Sequence, residues 1–374
     1  MFRLIATFAY MTIGEIIRHL ESRAPLSLQE SYDNAGLLTG ERNAEVTGIL
    51  ISLDMTEAVL DEAAALGCNL IIAHHPIIFG GLKKLTGSNH VERTVIKAIR
   101  QHIALYAIHT NLDNIAGGVN AMIAEQIGLT NTRVLQPKRQ FLRKLITFAP
   151  QANAGDVRFA LFEAGAGEIG HYDHCSFNTE GTGTFRGDET TNPFVGRQGE
   201  DREEPEVRIE VIFPAHLELQ LLKALFRAHP YEEVAYDVIT LENAWQEAGS
   251  GLLGVLPEPM EEMAFLQMLR DRMQAGGIRY TRLTGRPVSR VAVCGGAGSF
   301  LLRDAIMAHA DAFVTADLKY HQFFDADGHL LMADIGHYES EQYTGQLISR
   351  MLREKFPNFA VHLSKVNTNP VNYL

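Results

Sequence analysis

The segment LIIAHHPIIFG, residues 70–80, ends an apolar run on two adjacent histidines, His74 and His75. Its β-branched and apolar residues predict a buried strand, and Pro76 ends that strand and fixes the exit of the chain. In α/β sheets, ligands bind at the carboxyl ends of strands, which is where these two imidazoles lie. Because neighbouring residues on a strand point in different directions, the two rings are expected to serve different partners.

Strand and helix patterns alternate on both sides of this segment. Buried strands are predicted at residues 47–54 and 104–113, and amphipathic helices at residues 55–67 and 91–103. Such alternation indicates an α/β layer structure with a mostly parallel sheet.

The pattern changes in the middle of the chain. Predicted elements follow the order β-α-β-β-α-β, and a Gly/Thr-rich, charged segment at residues 177–206 is expected to form a long hairpin or a mobile loop. This order suggests a ferredoxin-like insertion of about 110 residues. The predicted fold class is therefore α/β, with two α/β halves at residues 11–136 and 247–374 that form one core. An α+β domain at residues 137–246 is inserted between them.

Composition argues against several classes of function. The chain has 374 residues and a net charge of -12, which argues against nucleic acid as a partner. No apolar run approaches the roughly 20 residues that span a bilayer, so no membrane partner is expected. The three cysteines are few and far apart, which indicates a reducing cytoplasm. Residues 1–10 are expected to be a loose extension, since Thr12 and Glu15 form the capping signal of a first helix.

Imidazole and carboxylate groups recur where predicted strands end. They are His74, His75, His109, Asp113, His337 and Glu341. Neutral imidazole suits zinc, iron, nickel or cobalt, and a carboxylate can bridge two ions. A helix that begins at His337 would place His337 and Glu341 on one face. A histidine at a strand end is more often an ordinary surface or hydrogen-bonded residue, so the pattern alone leaves both interpretations open.

Two further segments offer candidates for substrate contact or proton transfer. SYDNAGLLTG, residues 31–40, contains Asn34, although a simple Asx-turn explains it equally well. TADLKYHQ, residues 315–322, follows a predicted strand, so its Asp317 and His321 could line a pocket.

Two other segments carry weaker signals. The amides of CGGAGS, residues 294–299, could cradle an anion, but tight packing of a strand against a helix explains them as well. In GHYDHCSF, the residues His171, His174 and Cys175 could ligate zinc, but no second cluster accompanies them.

Six motifs resemble those of the NIF-three-like dinuclear-metal proteins, the family of GTP cyclohydrolase 1 type 2 homologues. In chain order they are YDNAGLLTG, LIIAHHPIIF, HTNLDNIAGGVN, VCGGAGS, TADLKYH and DIGHYESE. The match covers roughly residues 11–135 and 247–374. The segment between them resembles that of the longer bacterial members, which carry an inserted domain similar to PII and CutA proteins.

The resemblance implies two divalent metal ions per chain, which could be zinc, iron, manganese, nickel or cobalt. The ligands that it implies are His74, His75, Asp113, His337 and Glu341. It also implies a homohexameric ring with the metal sites facing an internal cavity. Two departures from the family pattern are Tyr32, where members commonly have Trp, and Ala316, where they commonly have Gly.

The implied activity is metal-dependent hydrolysis of a nucleotide or another small molecule. In the cyclohydrolase case, hydroxide attacks C8 of guanine and opens the imidazole ring. Asn34, Asp317 and His321 are then candidates for substrate contact or proton transfer. The alternative is a non-enzymatic metal-binding or regulatory ring, and a nucleic-acid-binding ring ranks last because of the net charge.

Overall fold

A computed structural model describes residues 11–374, so the extension expected at residues 1–10 lies outside the described residues. The first part of the chain alternates helices and strands. They are α1 (Ile13–Arg23), β1 (Gly36–Thr39), β2 (Ile49–Ser52), α2 (Glu57–Ala65), β3 (Leu70–Ala73), α3 (His90–Arg100), β4 (Ala104–Ala107), α4 (Thr110–Asp113), α5 (Val119–Ile127) and β5 (Thr130–Lys138).

The middle of the chain follows the order β-α-β-β-α-β. Its elements are β6 (Leu142–Pro150), α6 (Ala154–Glu163), β7 (Phe177–Phe185), β8 (Arg202–Pro214), α7 (Glu218–Ala228) and β9 (Tyr236–Thr240). The last part returns to mixed helices and strands. These are β10 (Trp245–Met260), α8 (Glu262–Arg272), β11 (Arg279–Tyr280), β12 (Val288–Val293), α9 (Leu302–Met307), β13 (Ala312–Thr315), β14 (Leu331–Asp334), α10 (His337–Glu341), α11 (Thr344–Lys355) and β15 (Val361–Leu363).

Local signals explain how the first helices begin and end. The Thr12 hydroxyl accepts a hydrogen bond from the Glu15 amide at 3.3 Å, while the Glu15 carboxylate accepts one from the Thr12 amide at 2.7 Å. This reciprocal pair satisfies amides that the first turn of α1 leaves free, and it confirms the predicted capping box. After α2, Gly67 adopts a left-handed conformation with φ +71°, which glycine tolerates without strain.

The chain divides into two compact units. The larger contains the residues up to Pro137 together with Gln246–Leu374, and the smaller is Lys138–Trp245. In the larger unit, one sheet has the strand order β1-β4-β3-β2-β15, in which β15, β2, β3 and β4 are parallel. A second sheet has the order β11-β14-β13-β12-β10-β5, with a parallel centre of β12, β13 and β14.

Both faces of the parallel strands are covered, which explains their nearly continuous apolar sequences. Side chains of both sheets share one hydrophobic cluster with the helices α1, α5, α8 and α11. On β3, Ile72 belongs to that cluster, whereas Ile71 packs in another cluster with residues of α2 and α3. The two sheets thus belong to one core, and this chain is a mixed α/β protein.

The smaller unit is built on an antiparallel sheet with the order β7-β8-β6-β9. Strands β7 and β8 pair from Phe177 with Glu210 to Phe185 with Arg202, so the Gly/Thr-rich segment is a long hairpin. Its core joins α6 and α7 to the sheet, through residues such as Leu161, Leu221 and Val211.

The structure corrects one predicted strand. The strand expected at residues 104–113 ends at Ala107, and residues 110–113 form the helical turn α4. The side-chain oxygen of Asn111 accepts a hydrogen bond from the His109 amide at 2.9 Å, and the Thr110 amide donates to Asp33 at 3.1 Å. Because these side chains satisfy the backbone in place of a sheet partner, the strand stops and Asp113 lies on a helical turn.

No helix within residues 11–374 combines the length and the apolar character needed to cross a membrane.

Candidate metal centre

Four histidine rings of the larger unit meet where its strands end. His74 and His75 directly follow β3, His109 precedes α4, and His337 begins α10 after β14. The ring centroid of His75 lies 4.9 Å from that of His74, 5.4 Å from that of His109 and 5.1 Å from that of His337. Segments distant in the sequence therefore present their imidazoles to one small volume.

Glu341 lies among these rings and is only 3% exposed. One carboxylate oxygen, Oε2, is 2.9 Å from Nε2 of His75 and 3.1 Å from Nε2 of His337. The other oxygen, Oε1, is 3.8 Å from Nε2 of His74. The pair His337 and Glu341 shares one face of α10, as its four-residue spacing predicted. One carboxylate thus contacts both sides of the cluster.

Two buried polar atoms in this cluster lack a partner. Nε2 of His74 and Oδ1 of Asp113 lie 3.6 Å apart, and neither forms a hydrogen bond within the part of the chain that the structure describes. A buried polar atom without a partner costs about 1–3 kcal/mol. Because an imidazole nitrogen and a carboxylate oxygen are both ligands of divalent metals, an ion held between these atoms would satisfy both.

Two overlapping groups of side chains are close enough to hold an ion. One comprises His74, His75 and His109, and the other comprises His75, His337 and Glu341. Within each group, all ligand atoms lie within 4.8 Å of one another. The donor set of nitrogen and carboxylate oxygen fits a divalent transition metal.

The opposite nitrogen of every ring is held by an oxygen acceptor. Nδ1 of His74 lies 2.9 Å from the Ile108 carbonyl. In the other three rings Nδ1 lies 2.7 Å from a carboxylate, which is Asp54 for His75, Asp33 for His109 and Asp317 for His337. Such contacts orient each ring and turn its Nε2 towards the cluster, where that nitrogen could bind a metal. In the sequence, Asp54 is only the end of the strand predicted at residues 47–54, and Asp33 is only part of the turn-rich segment at residues 31–40. That these carboxylates hold histidine rings is visible only in the fold.

The cluster concentrates titratable groups with displaced pKa values. Burial opposes protonation of His75 and His337, but the hydrogen bonds of their carboxylate partners outweigh it and raise the pKa to about 10 and about 9 respectively. Burial and the charge of Glu341 raise the pKa of Asp113. The imidazoles outweigh burial at Glu341 and hold its pKa well below the ordinary value. The carboxylates thus favour positive charge in the cluster, which protons or metal ions can supply.

A cleft of about 1240 Å³ opens over the cluster. Its walls include the aromatic side chains Tyr32, Phe79, Phe300 and Tyr373. Tyr32 is 71% exposed, so its ring is free to contact a ligand. The volume is sufficient for a molecule the size of a nucleotide.

The three predicted catalytic candidates lie in different surroundings. Asp317 lines the cleft and holds His337. Asn34 donates its amide to the Ile78 carbonyl at 2.6 Å, and His321 is exposed on the short 3-10 helix Tyr320–Ala326. Among the described residues that form the cleft wall, neither Asn34 nor His321 is present. The structure therefore brings Asp317 alone of the three to the cluster.

The glycine-rich segment at residues 294–299 packs against the cluster. The amides of Gly295, Gly296 and Gly298 already donate to the side chains of Asn120, Ser340 and Thr315. These amides are therefore not free to cradle an anion, which favours the packing interpretation. Gly296 has φ +60°, and a Cβ atom there would lie 2.6 Å from Oε1 of Glu341.

The weaker zinc signal in the smaller unit finds no support. The ring of His174 stacks on Phe162 with centroids 4.7 Å apart and planes 5° apart. Among the described residues, no group able to hold an ion includes His171, His174 or Cys175.

Comparison with known proteins places the chain in a family. The family model described as Duf34/NIF3 (NGG1p interacting factor 3) matches residues 11–370. A protein of Halalkalibacterium halodurans named GTP cyclohydrolase 1 type 2 homolog is 38% identical over 365 residues, which are 96% of this chain and 98% of that protein. A protein of Bacillus subtilis with the same name is 37% identical over 366 residues, again 96% and 98% of the two chains.

Solved structures agree with this comparison. A Bacillus cereus protein related to NIF3 is 39% identical, with a TM-score of 0.86 over 98% of this chain and 100% of that one. The Staphylococcus aureus protein SA1388 is 31% identical, with a TM-score of 0.78 over 98% and 99%. The chain belongs to the DUF34/NIF3 family, which confirms the resemblance that its sequence motifs indicated.

Proposed function

We propose that this protein binds two divalent metal ions and is a hydrolase of the GTP cyclohydrolase 1 type 2 kind, acting on a nucleotide or a related small molecule. The observation that carries the proposal is the pair of partnerless buried atoms, Nε2 of His74 and Oδ1 of Asp113. Beside them, Glu341 directs its second oxygen at His75 and His337. Separate donors with one carboxylate between them could hold two ions close together, as in two-metal hydrolytic sites.

The two ions would divide the residues between them. His74 and Asp113 would hold one, His75 and His337 the other, and Glu341 would contribute one oxygen to each. The donors suit zinc, iron, manganese, nickel or cobalt. The chemistry that such ions supply is a water molecule whose pKa is lowered towards 7, and hence a nucleophile at neutral pH.

The protein's own residues would orient the reaction. Asp54 and Asp317 hold the rings of His75 and His337, so their Nε2 atoms keep one direction. Tyr32 and Phe79 offer faces on which a heterocyclic base can stack. Of the three candidates, Asp317 lines the cleft and could contact the substrate, whereas Asn34 and His321 would have to act from outside the cleft wall.

The charge of the cleft bears on the substrate. Among the described residues that line it, Arg279 is the single Lys or Arg, and its guanidinium is paired with Asp334. A triphosphate would thus find few positive partners of protein origin. This supports testing nucleosides and other heterocycles beside GTP.

We also propose that the smaller unit is an inserted domain. The β-α-β-β-α-β order and antiparallel sheet of Lys138–Trp245 support a ferredoxin-like insertion at residues 137–246, of the kind found in PII and CutA proteins. Three free cysteines, two of them buried, support a cytoplasmic location. The homohexamer implied by the family motifs is testable by the mass of the native protein in solution.

The deciding experiment pairs metal content with turnover. Wild type, His75→Ala and the exposed-site control His329→Ala are purified without chelator, then assayed with GTP, guanosine and a panel of phosphoesters. We expect about two ions per chain in wild type and control, and loss of both metal and turnover in His75→Ala. Two ions without turnover of any substrate would contradict the hydrolase and favour the non-enzymatic metal-binding ring.

A further inference from the structure

We propose that the smaller unit contains a binding site for a small organic amine in its protonated form, held between Glu206 and the rings of Phe185 and Tyr231. The site is a cavity of about 540 Å³. The described residues that line it all belong to Lys138–Trp245, so the inference is independent of the metal centre.

The cavity lies on the face of the antiparallel sheet that α6 and α7 leave uncovered. Along β8, Ile209 and Val211 pack in the core with these helices, whereas Glu206 and Arg208 alternate with them and line the cavity. Gly181 lies opposite Glu206 on β7, and nothing lies within 4 Å of its Cβ position. The sheet thus keeps an open space beside Glu206 that a larger side chain at position 181 would occupy.

Glu206 is a buried carboxylate with one oxygen left over. Its side chain lines the cavity although the residue is only 8% exposed. Oε1 accepts a hydrogen bond from the Tyr231 hydroxyl at 2.8 Å, whereas Oε2 forms none with the residues that the structure describes. A carboxylate removed from water gains most from a donor that carries positive charge. Oε2 is therefore the atom that would receive a charged N–H group.

The aromatic side of the cavity is held in place. The Tyr231 amide donates to Nδ1 of His229 at 3.1 Å, and Nε2 of His229 lies 2.8 Å from the Phe148 carbonyl. Burial and the hydrogen bond to Glu206 raise the pKa of Tyr231, so its hydroxyl stays protonated and donates. The ring of Phe185 lies 6.0 Å from that of Tyr231, and both line the cavity. Aromatic faces beside a carboxylate attract an ammonium group.

The charge of the wall favours a cation. Glu180, Glu206 and Glu233 line the cavity, and Arg208 is the single Lys or Arg among the described residues that do. The guanidinium of Arg208 is paired with Glu210 at 2.9 Å, so its charge is already balanced. Among the described residues, no group able to hold a metal ion includes a glutamate of this wall. The ligand is therefore an organic cation.

The free oxygen of Glu206 narrows the class further. A quaternary ammonium has no N–H group, whereas a protonated primary amine offers three donors on one nitrogen. Its carbon chain would lie against Phe148 and Phe185, both on the cavity wall. The volume is in the range of small-molecule sites, which is sufficient for an amine of several carbon atoms.

The test titrates the full chain with butylamine and putrescine by calorimetry at constant ionic strength, with 1-butanol as the uncharged comparison. We expect one saturable site per chain for the amines and none for butanol. Glu206→Gln should weaken amine binding by about 10-fold or more, as expected for a hydrogen bond to a charged group. Glu203→Gln is the matched control, because Glu203 is an exposed residue of the same strand, and it should bind like wild type.

Gly181→Val tests the cavity without touching the carboxylate. The valine side chain enters open space on an extended strand, so the variant should unfold at the same urea concentration as wild type while losing amine binding. Glu206→Gln keeps an acceptor for the Tyr231 hydroxyl, and its urea midpoint controls for folding in the same way. Absence of saturable amine binding by the wild type would overturn the site. Equal binding of butanol, or amine binding that survives in both variants, would do the same.

Discussion

Thr368 donates its hydroxyl to Oδ2 of Asp54 at 2.5 Å, across 314 residues of sequence. The other oxygen of Asp54 holds Nδ1 of His75. The C-terminal segment therefore reaches the candidate metal centre through one carboxylate. Asn369, the next residue, donates to Glu339 at 3.1 Å and ties the same segment to α10.

This contact predicts that Thr368→Val weakens the metal centre without removing a ligand. Asp54 loses one of the donors that orient it, so His75 is held less firmly. We expect a loss of metal affinity of up to about 10-fold, at the lower end of what an outer partner contributes. Chelator competition measures it, and Thr368→Ser is the matched control, since it keeps the hydroxyl. Equal losses in both variants would contradict the role of the hydrogen bond.

Glu341→Gln is predicted to affect both ions together. The carboxylate contacts His75 and His337 through one oxygen and faces His74 through the other, and an amide cannot offer two anionic oxygens. Metal content measured by plasma mass spectrometry should fall from about two ions per chain to less than one. A loss of one ion alone would show that Glu341 does not bridge.

The apo form of Glu341→Gln supplies a second readout. Without metal, the ionised carboxylate is buried among imidazoles, and its negative charge stabilises their protonated form. Breaking a buried ion pair costs about 3–5 kcal/mol. The metal-free variant should therefore unfold at lower denaturant concentration than metal-free wild type, and His329→Ala should not.

Gly296→Ala is predicted to disturb the candidate metal centre by crowding Glu341. The added Cβ atom would lie 2.6 Å from Oε1 of Glu341, and φ of +60° adds backbone strain of about 1–3 kcal/mol. Gly285→Ala is the matched control, because it has φ +74° with nothing within 4 Å of its Cβ position. Both variants should lose stability in chemical denaturation, whereas metal affinity should fall in Gly296→Ala alone.

The sequence predicts the parts of this protein that local pattern determines. The buried strand at residues 47–54, the buried strand that ends before Pro76 and the capping box at Thr12 depend on residues a few positions apart, and the structure confirms them. The strand expected at residues 104–113 failed because its end depends on Asp33, whose distance in the sequence hides it. Local periodicity contains no information about such a contact.

The candidate site divides in the same way. Strand ends drew attention to His74, His75 and His337, because polar residues after apolar runs are visible in the sequence. The groups that orient them are not, since Asp54 and Thr368 become recognisable only when the fold brings them behind a ring. A carboxylate that follows a buried strand, as Asp54 follows β2, is the one signal that could have indicated such a role.

Glu92 provides a pH-dependent prediction away from the metal centre. Its carboxylate accepts hydrogen bonds from the amide and hydroxyl of Thr86, both at 2.8 Å, and from the amide and hydroxyl of Ser88 at 3.1 and 3.0 Å. These donors, with those of Thr86 the strongest, lower its pKa from 4.5 to about 2. A carboxylate with a lowered pKa contributes stability above its unfolded pKa, and this contribution is lost as the pH falls through the folded value.

Glu92→Gln should therefore be less stable than wild type at pH 7, and the difference should shrink between pH 4.5 and about pH 2. Urea unfolding of both proteins across this pH range measures the difference in their free energy of unfolding. The contributions of the other carboxylates cancel because both proteins contain them. Glu258→Gln, at an exposed position, should show a small difference that does not change with pH. A Glu92→Gln difference that persists undiminished at pH 2 would mean that side-chain shape, and not ionisation, supports the start of α3.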